Sequence, residues 1–228
     1  MYNKKTISIV MPAFNEEKSI SKFIKDIKKL KVFDEIIAVN NNSSDTTEKE
    51  IKKNKVSYFF EKKQGFGASL KKGLDRVTTD LIITCEPDGS FKASDSIKLL
   101  KHSKKYDAVF TSRTNNKMNF YLKYGNKIYA MILSFLFNGP KLRDVGSSYR
   151  LFKKADYDRF KKKLKFSGPE FQLELTISLI NQKLNIIEIP VKYGKRIGKS
   201  NYTGSFYSSL KVALRFTKVV ILKFFKFL

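Results

Sequence analysis

DLIITCEPDGS, residues 80–90, is the stretch on which the fold turns. Its apolar half, DLIITC, has the β-branched run of a buried strand. Its polar half places two carboxylates, Glu86 and Asp88, two residues apart. At the end of an extended strand, side chains at that spacing point to one side. Two carboxylates so placed repel unless a cation lies between them. Hard oxygen ligands suit Mg²⁺ or Mn²⁺, ions that leave positions open for water and phosphate. Pro87 stiffens the turn, and Gly89 permits close approach of another backbone. A solvated turn uses the same residue types, so the motif gains its weight from the segments around it.

Outward from this stretch, strands alternate with helices. Residues 6–11 (TISIVM), 35–39 (EIIAV), 56–60 and 107–112 (DAVFTS) read as further strands. Between the first two, Ile20, Phe23, Ile24, Ile27 and Leu30 recur at helical spacing over residues 16–30. Asn15 is placed to cap that helix, with Glu16 and Glu17 at the positive end of its dipole. Residues 65–77 read as another helix. Such alternation predicts an α/β fold: a mostly parallel sheet with helices on both faces, and ligands beyond the carboxyl ends of the strands. PAFNEE, NNNSSD, EPDGS and Ser112-Arg113 all occupy such ends. Downstream come a helical stretch at 118–137, an amphipathic helix at 170–182, a strand at 185–193, a basic loop and a last helix over 205–228. No repeat or linker divides the chain. The expected organisation is one catalytic domain, residues 1–203, with a basic amphipathic extension at 204–228.

The chain has 228 residues and a net charge of +25, from 46 Lys and Arg against 21 Asp and Glu. That excess suits nucleic acid, an anionic lipid surface or a phosphorylated substrate, and a lysine-rich coat would produce it as well. No nucleic-acid motif is present, and the acidic turn does not suit that partner. Cys85 is the only cysteine, which favours a reducing compartment. His102 has no second His or Cys for a zinc site. No apolar run reaches the roughly 18–20 residues of a membrane-spanning helix, and residues 128–137 (IYAMILSFLF) read as a buried or interfacial helix. The N-terminus lacks the pattern of a signal peptide. The GFG at 65–67 has Leu70 where a third glycine would complete a dinucleotide fingerprint, which removes hydride transfer. A nucleotidyltransferase would carry a glycine-rich first loop with a basic residue, and PAFNEE is neither.

In order, VMPAFNEE, VNNNSSDTT, QGFGASLKKGL, EPD, TSR, DVGSSYRLF and EIPVKYGKRIGKS resemble the family 2 glycosyltransferases of GT-A (Rossmann-like) fold. The branch with dolichyl-phosphate mannosyltransferase and other polyprenyl-phosphate glycosyltransferases is the most similar. The resemblance implies that Pro12, Ala13, Phe14 and Glu16 line a base and ribose pocket and that Asn40 reads the base edge. Independently of it, the small residues Gly67, Ala68 and Ser69 let their helix approach the donor or the sheet closely, and packing alone explains them as well. It implies a Mg²⁺ or Mn²⁺ ion on Glu86 and Asp88, assisted by Ser90, that bridges the donor diphosphate. Arg113, Arg150, Arg196 and Ser200 match positions near the phosphates of donor or acceptor, with Lys123 and Lys127 as weaker candidates. Asp88, Arg113 and Arg196 are the expected catalytic set. Two departures stand out: Asn40 replaces the commoner Asp, and Glu86 replaces the first Asp, which shifts the closer metal contact toward Asp88.

The resemblance implies an inverting transfer from a GDP- or UDP-sugar. A hydroxyl acceptor needs a general base, and Asp144, Glu170 and Glu174 each have a structural explanation. A polyprenyl or dolichyl phosphate needs none, which favours a lipid acceptor over a saccharide. On the last helix Lys211, Arg215, Lys218 and Lys226 share one arc beside apolar residues such as Phe206, Leu210, Val220, Phe224 and Phe227. That pattern suits a helix lying among anionic headgroups. The expected location is peripheral, at the cytoplasmic face of a membrane. A nucleotide-sugar-binding protein without turnover is the alternative.

Overall fold

The structure, a computed structural model, describes residues 2–114, 120–198 and 206–225. The first half runs β1 (Ile7–Ala13), α1 (Ile20–Lys29), β2 (Glu35–Asn40), α2 (Thr47–Lys53), β3 (Ser57–Phe60), α3 (Phe66–Leu74), β4 (Leu81–Thr84) and α4 (Asp95–His102). The second runs β5 (Ala108–Thr114), α5 (Phe120–Leu136), β6 (Arg150–Lys153), α6 (Lys154–Phe160), α7 (Phe171–Ile180), β7 (Ile186–Lys192) and α8 (Phe206–Phe224). Seven strands form one sheet in the order β3-β2-β1-β4-β6-β5-β7. All pairs are parallel except those of β6, which runs antiparallel between β4 and β5.

Alternation along the strands builds the two cores. On β1, Val10 joins the apolar cluster under α3, α5, α7 and α8, while Ile9 and Met11 join the cluster under α1 and α4. On β4, Ile82 goes to the first and Ile83 to the second. The chain leaves β1 toward β2 on one side and reaches β4 on the other. The crevice beyond the carboxyl ends of β1 and β4 is therefore the switch point where such sheets bind ligands.

Two expectations change here. Helix α1 starts at Ile20, not Glu16, and Asn15 does not cap it. Asn15 instead takes a left-handed φ of 54° and ties two loops together: its N–H donates to Ser43 Oγ and its Oδ1 accepts from Ser44 N–H. This frees Glu16 from the helix end and turns it into the crevice. The second difference is β6, which no alternation predicts. It is four residues long and fully hydrogen-bonded in the middle of the sheet.

Helix α8 packs one side on the domain. Phe216, Val219 and Val220 are buried in the same cluster as α5 and α7, and Lys223 pairs with the fully buried Glu174 at 2.8 Å. Among the described residues, no helix is long and apolar enough to cross a membrane.

Candidate active site

Three loops meet at the crevice. After β1, residues 14–17 are zipped to the β2–α2 loop: Glu16 N–H donates to Thr47 Oγ1, and Thr46 Oγ1–H donates to Glu17 Oε2. Pro12 and Ala13 are the last buried residues of β1, and Ala13 stands in register with Asn40 of β2. Phe14 is half-buried beside them. Asn40 is buried, and its Oδ1 accepts from Ser43 N–H, which fixes the turn.

After β4, Asp88 is buried with Oδ1 accepting from the backbone and hydroxyl of Ser90. Its Oδ2 faces Arg196 Nη1 at 3.0 Å, and Glu86 Oε2 lies 3.7 Å from the same nitrogen. From the β1 side, Glu16 Oε1 accepts from Arg196 Nη2 at 2.6 Å. Arg196 belongs to a loop strapped over the turn after β4. Gly194 N–H donates to Ser90 O and Ile197 N–H to Asp88 O. Gly89, at a φ of 81°, leaves room for the Ile197 side chain, which a Cβ there would meet at 2.8 Å.

Three carboxylates thus converge on one guanidinium. When all are ionised the group carries two more negative than positive charges (three acids, Glu16, Glu86 and Asp88, against Arg196). Among the described residues, no group of three His, Cys, Asp or Glu side chains forms a ready-made metal site. Burial pushes the Glu16 pKa up to about 7, with the Ser19 hydrogen bond and Arg196 opposing it. Burial and the charge of Asp88 raise that of Glu86 as well.

Arg113, near the end of β5, lies beyond Tyr193. Its guanidinium sits 5.2 Å from the centre of the Tyr193 ring, and it forms a two-pronged pair with Asp144, Nε to Oδ2 at 2.6 Å and Nη2 to Oδ1 at 2.7 Å. Burial works against the Asp144 charge, but Arg113 and the backbone N–H groups outweigh it and hold its pKa below the usual carboxylate range. Asp144 therefore does not accept protons near neutrality. Glu174 is equally committed, accepting from Lys165 N–H, Phe166 N–H and Lys223 Nζ. Glu170 lies against Arg215, 3.6 Å from its Nη1.

Two of the expected ligand-side residues are elsewhere. Arg150 is wholly enclosed: Nε donates to Ser147 O, Nη2 to Val145 O, and Nη1 to Gln172 O and Thr176 Oγ1, with the Phe110 ring 4.5 Å away. Its donors are spent on the β6 and α7 interior, so it is a structural arginine and not a phosphate ligand. Gly67 packs on α7, where a Cβ would come within 2.3 Å of Phe171 Cβ. Its small size serves helix contact and not the donor. Lys123 and Lys127 lie exposed on α5, and Ser200 falls outside the described residues.

Sequence reasoning missed Tyr193 and Asn41. The side chain of Asn41 bridges the loops after β2 and β3, donating to Glu61 O and Lys63 O and accepting from Gly65 N–H. The NNN run hid which of three asparagines did this. Tyr193 stands between Arg113 and the turn after β4, and its only signal was its place at the end of EIPVKY.

A parallel sheet broken by one antiparallel strand, with an acidic pole at the β1/β4 crevice, defines the GT-A class. The chain aligns with glucosyl-3-phosphoglycerate synthase from Mycobacterium tuberculosis, solved with Mn²⁺, UDP and phosphoglyceric acid, at a TM-score of 0.77 and 17% identity. The match covers 97% of this chain and 78% of that one. Residues 8–166 match the model of Glycosyl transferase family 2, and the chain belongs to that family. It is 28% identical to the UDP-N-acetylglucosamine–dolichyl-phosphate N-acetylglucosaminyltransferase of Methanococcus voltae, over 82% of this chain and 85% of that protein. It is 26% identical to the undecaprenyl-phosphate 4-deoxy-4-formamido-L-arabinose transferase of Proteus mirabilis, over 90% of this chain and 64% of that protein.

Proposed function

We propose that this glycosyltransferase moves a sugar, with inversion, from a GDP- or UDP-sugar to a polyprenyl or dolichyl phosphate, as a peripheral protein at the cytoplasmic face of a membrane. The observation that carries the reading is the excess of carboxylate over guanidinium at the β1/β4 crevice. Glu86 and Asp88 would offer hard oxygen atoms to Mg²⁺ or Mn²⁺, and both lie beside Arg196 at the turn after β4. When bound, the ion neutralises charge on the departing diphosphate.

The chain's own groups then divide the work. Pro12, Ala13, Phe14 and Asn40 form the rim on which the nucleoside lies. Glu16 and Asp88 hold Arg196 over the turn. Among the described residues its buried Nε–H has no protein acceptor, a demand that a phosphate oxygen brought into the crevice would meet. Arg113, fixed by Asp144 and Tyr193, supports a second phosphate. Such preset charges are usually the largest catalytic contribution. In the transfer, an acceptor phosphate oxygen forms the new bond to the anomeric carbon. The bond from that carbon to the diphosphate breaks, and the leaving group keeps the electron pair. No proton has to be removed from an acceptor that is already anionic. The commitment of Asp144 and Glu174 to structural partners supports that choice. The two relatives whose names include a polyprenyl phosphate support the acceptor class.

The test is a donor screen with GDP-mannose, UDP-glucose and UDP-N-acetylglucosamine, with and without Mn²⁺, against a short polyprenyl phosphate and a free saccharide. Metal-dependent transfer to the lipid phosphate is expected. Transfer to the saccharide alone would overturn the acceptor, and donor binding without any turnover would overturn the enzymatic reading.

A further inference from the structure

Helices α5 and α8 lie side by side. Tyr129 of α5 donates its hydroxyl to Ala213 O of α8 at 2.7 Å, and its ring meets Phe216 edge-on. Behind this seam Leu133, Phe216 and Val219 fill the core. In front of it, apolar side chains of both helices stand exposed. On α5, Ile128, Met131 and Phe135 recur at one-turn spacing and stand 56, 64 and 83% exposed. On α8, Leu210, Leu214 and Ile221, continued by Phe225 just past its end, form a matching row on the side near the seam, with Phe225 at 70%. Core packing does not account for a phenylalanine so exposed. Contiguous apolar surface of this kind marks an interaction site.

The charges around the surface select its partner. Neither α5 nor α8 contains an Asp or Glu, and residues 108–143 and 189–228 are free of both. Exposed Lys123 and Lys127 border the α5 row on the side away from α8, and Lys211 and Lys218 border the α8 row on its far side. An apolar strip between two basic borders complements an anionic bilayer: the strip enters the acyl boundary and the lysines reach the phosphates. A second copy of the chain would bring the same lysines and its own +25 to the contact, so like charges oppose it.

We propose that α5 and α8 together form one plate by which the protein lies on an anionic lipid surface, and that α5 is as much a part of it as α8. The plate joins the crevice. Buried Asn126, on the domain side of α5, crowds the same face of Gly146 as Arg113, so the helix that carries the α5 row also packs against the Arg113 side of the crevice. The proposal assigns a face to the peripheral placement above, but vesicle binding needs neither donor nor acceptor, so either reading can fail while the other stands.

The test is co-sedimentation of the whole chain with vesicles of phosphatidylcholine and phosphatidylglycerol in equal amounts, and of phosphatidylcholine alone. Two pairs of exposed residues are replaced, Met131→Glu with Phe135→Glu on α5, and Leu214→Glu with Phe225→Glu on α8. The native chain should bind the mixed vesicles and be released by salt, and each pair should lower partitioning roughly tenfold. Thermal unfolding should not change, which shows that the fold is intact. Three results would overturn the plate: a native chain that stays in the supernatant, an α5 pair that binds like the native chain, or a dimer in solution that the same substitutions dissolve.

Discussion

The strap over β4 and the seam behind β6 each centre on an arginine, and sequence alone put both arginines at a phosphate. Arg196 is met by three carboxylates at a strand end, part of its side chain in solvent. Arg150 is met by carbonyls and one hydroxyl in the interior. Acids around a cation at a ligand crevice make an electrostatic site whose partners can exchange. Neutral acceptors around a buried cation make a structural joint whose removal strands them. Burial draws the Arg150 pKa down to about 9, while the surrounding acids hold Arg196 in its charged form.

The largest effect expected on that contrast comes from Asp88→Ala. Sugar transfer should fall by about a thousandfold or more, in line with loss of a preset charge contact, while circular dichroism stays native. Retained turnover would remove the crevice from the chemistry. Arg196→Ala should lower kcat about a hundredfold with little change in urea midpoint. Arg150→Met should do the reverse: a loss of about 3 kcal/mol in unfolding free energy, with any remaining folded protein still binding nucleotide. If both variants behaved alike, the two arginines would not differ in kind.

A smaller effect separates Glu16 from its neighbours. Its folded pKa, about 7, lies above the ordinary 4.5. Between those values the native state binds the proton more tightly than the unfolded chain does, so this group favours the fold below the window and loses that contribution as pH rises through it. Glu16→Gln should flatten the fall in Tm between about pH 5 and about pH 8. An unchanged slope would mean that Glu16 ionises normally. Asp144→Asn should be milder in chemistry, lowering stability by about 2 kcal/mol through the unpaired Arg113, as read by urea unfolding.

The same contrast explains what was legible in the sequence. Strands β1 to β5 and their polar ends could be read because apolar runs and helix spacing are local, and the switch-point rule converts them into a crevice. Strand β6 could not, since it has only four residues, opens on a charged Arg150, and the partners of that residue, Thr84 and Phe110, lie far away in sequence. The smallness of Gly67 lets its helix approach a donor, the sheet or another helix alike, and Phe171, for which it makes room, is about a hundred residues away, a separation no local pattern registers. Asn15 carried the composition of a cap, but hydrogen bonds to the β2–α2 loop overrode it. The last helix was read as an amphipath with one apolar side. It has two, one spent on the core and one left beside α5.

Calorimetry of UDP and GDP binding, with and without Mn²⁺, in the native chain and in Asp88→Ala, tests the acidic pole most directly. At least one nucleotide should bind the native chain only when the metal is present, and Asp88→Ala should lose that dependence together with the affinity. Equal binding with and without metal, in both proteins, would contradict it.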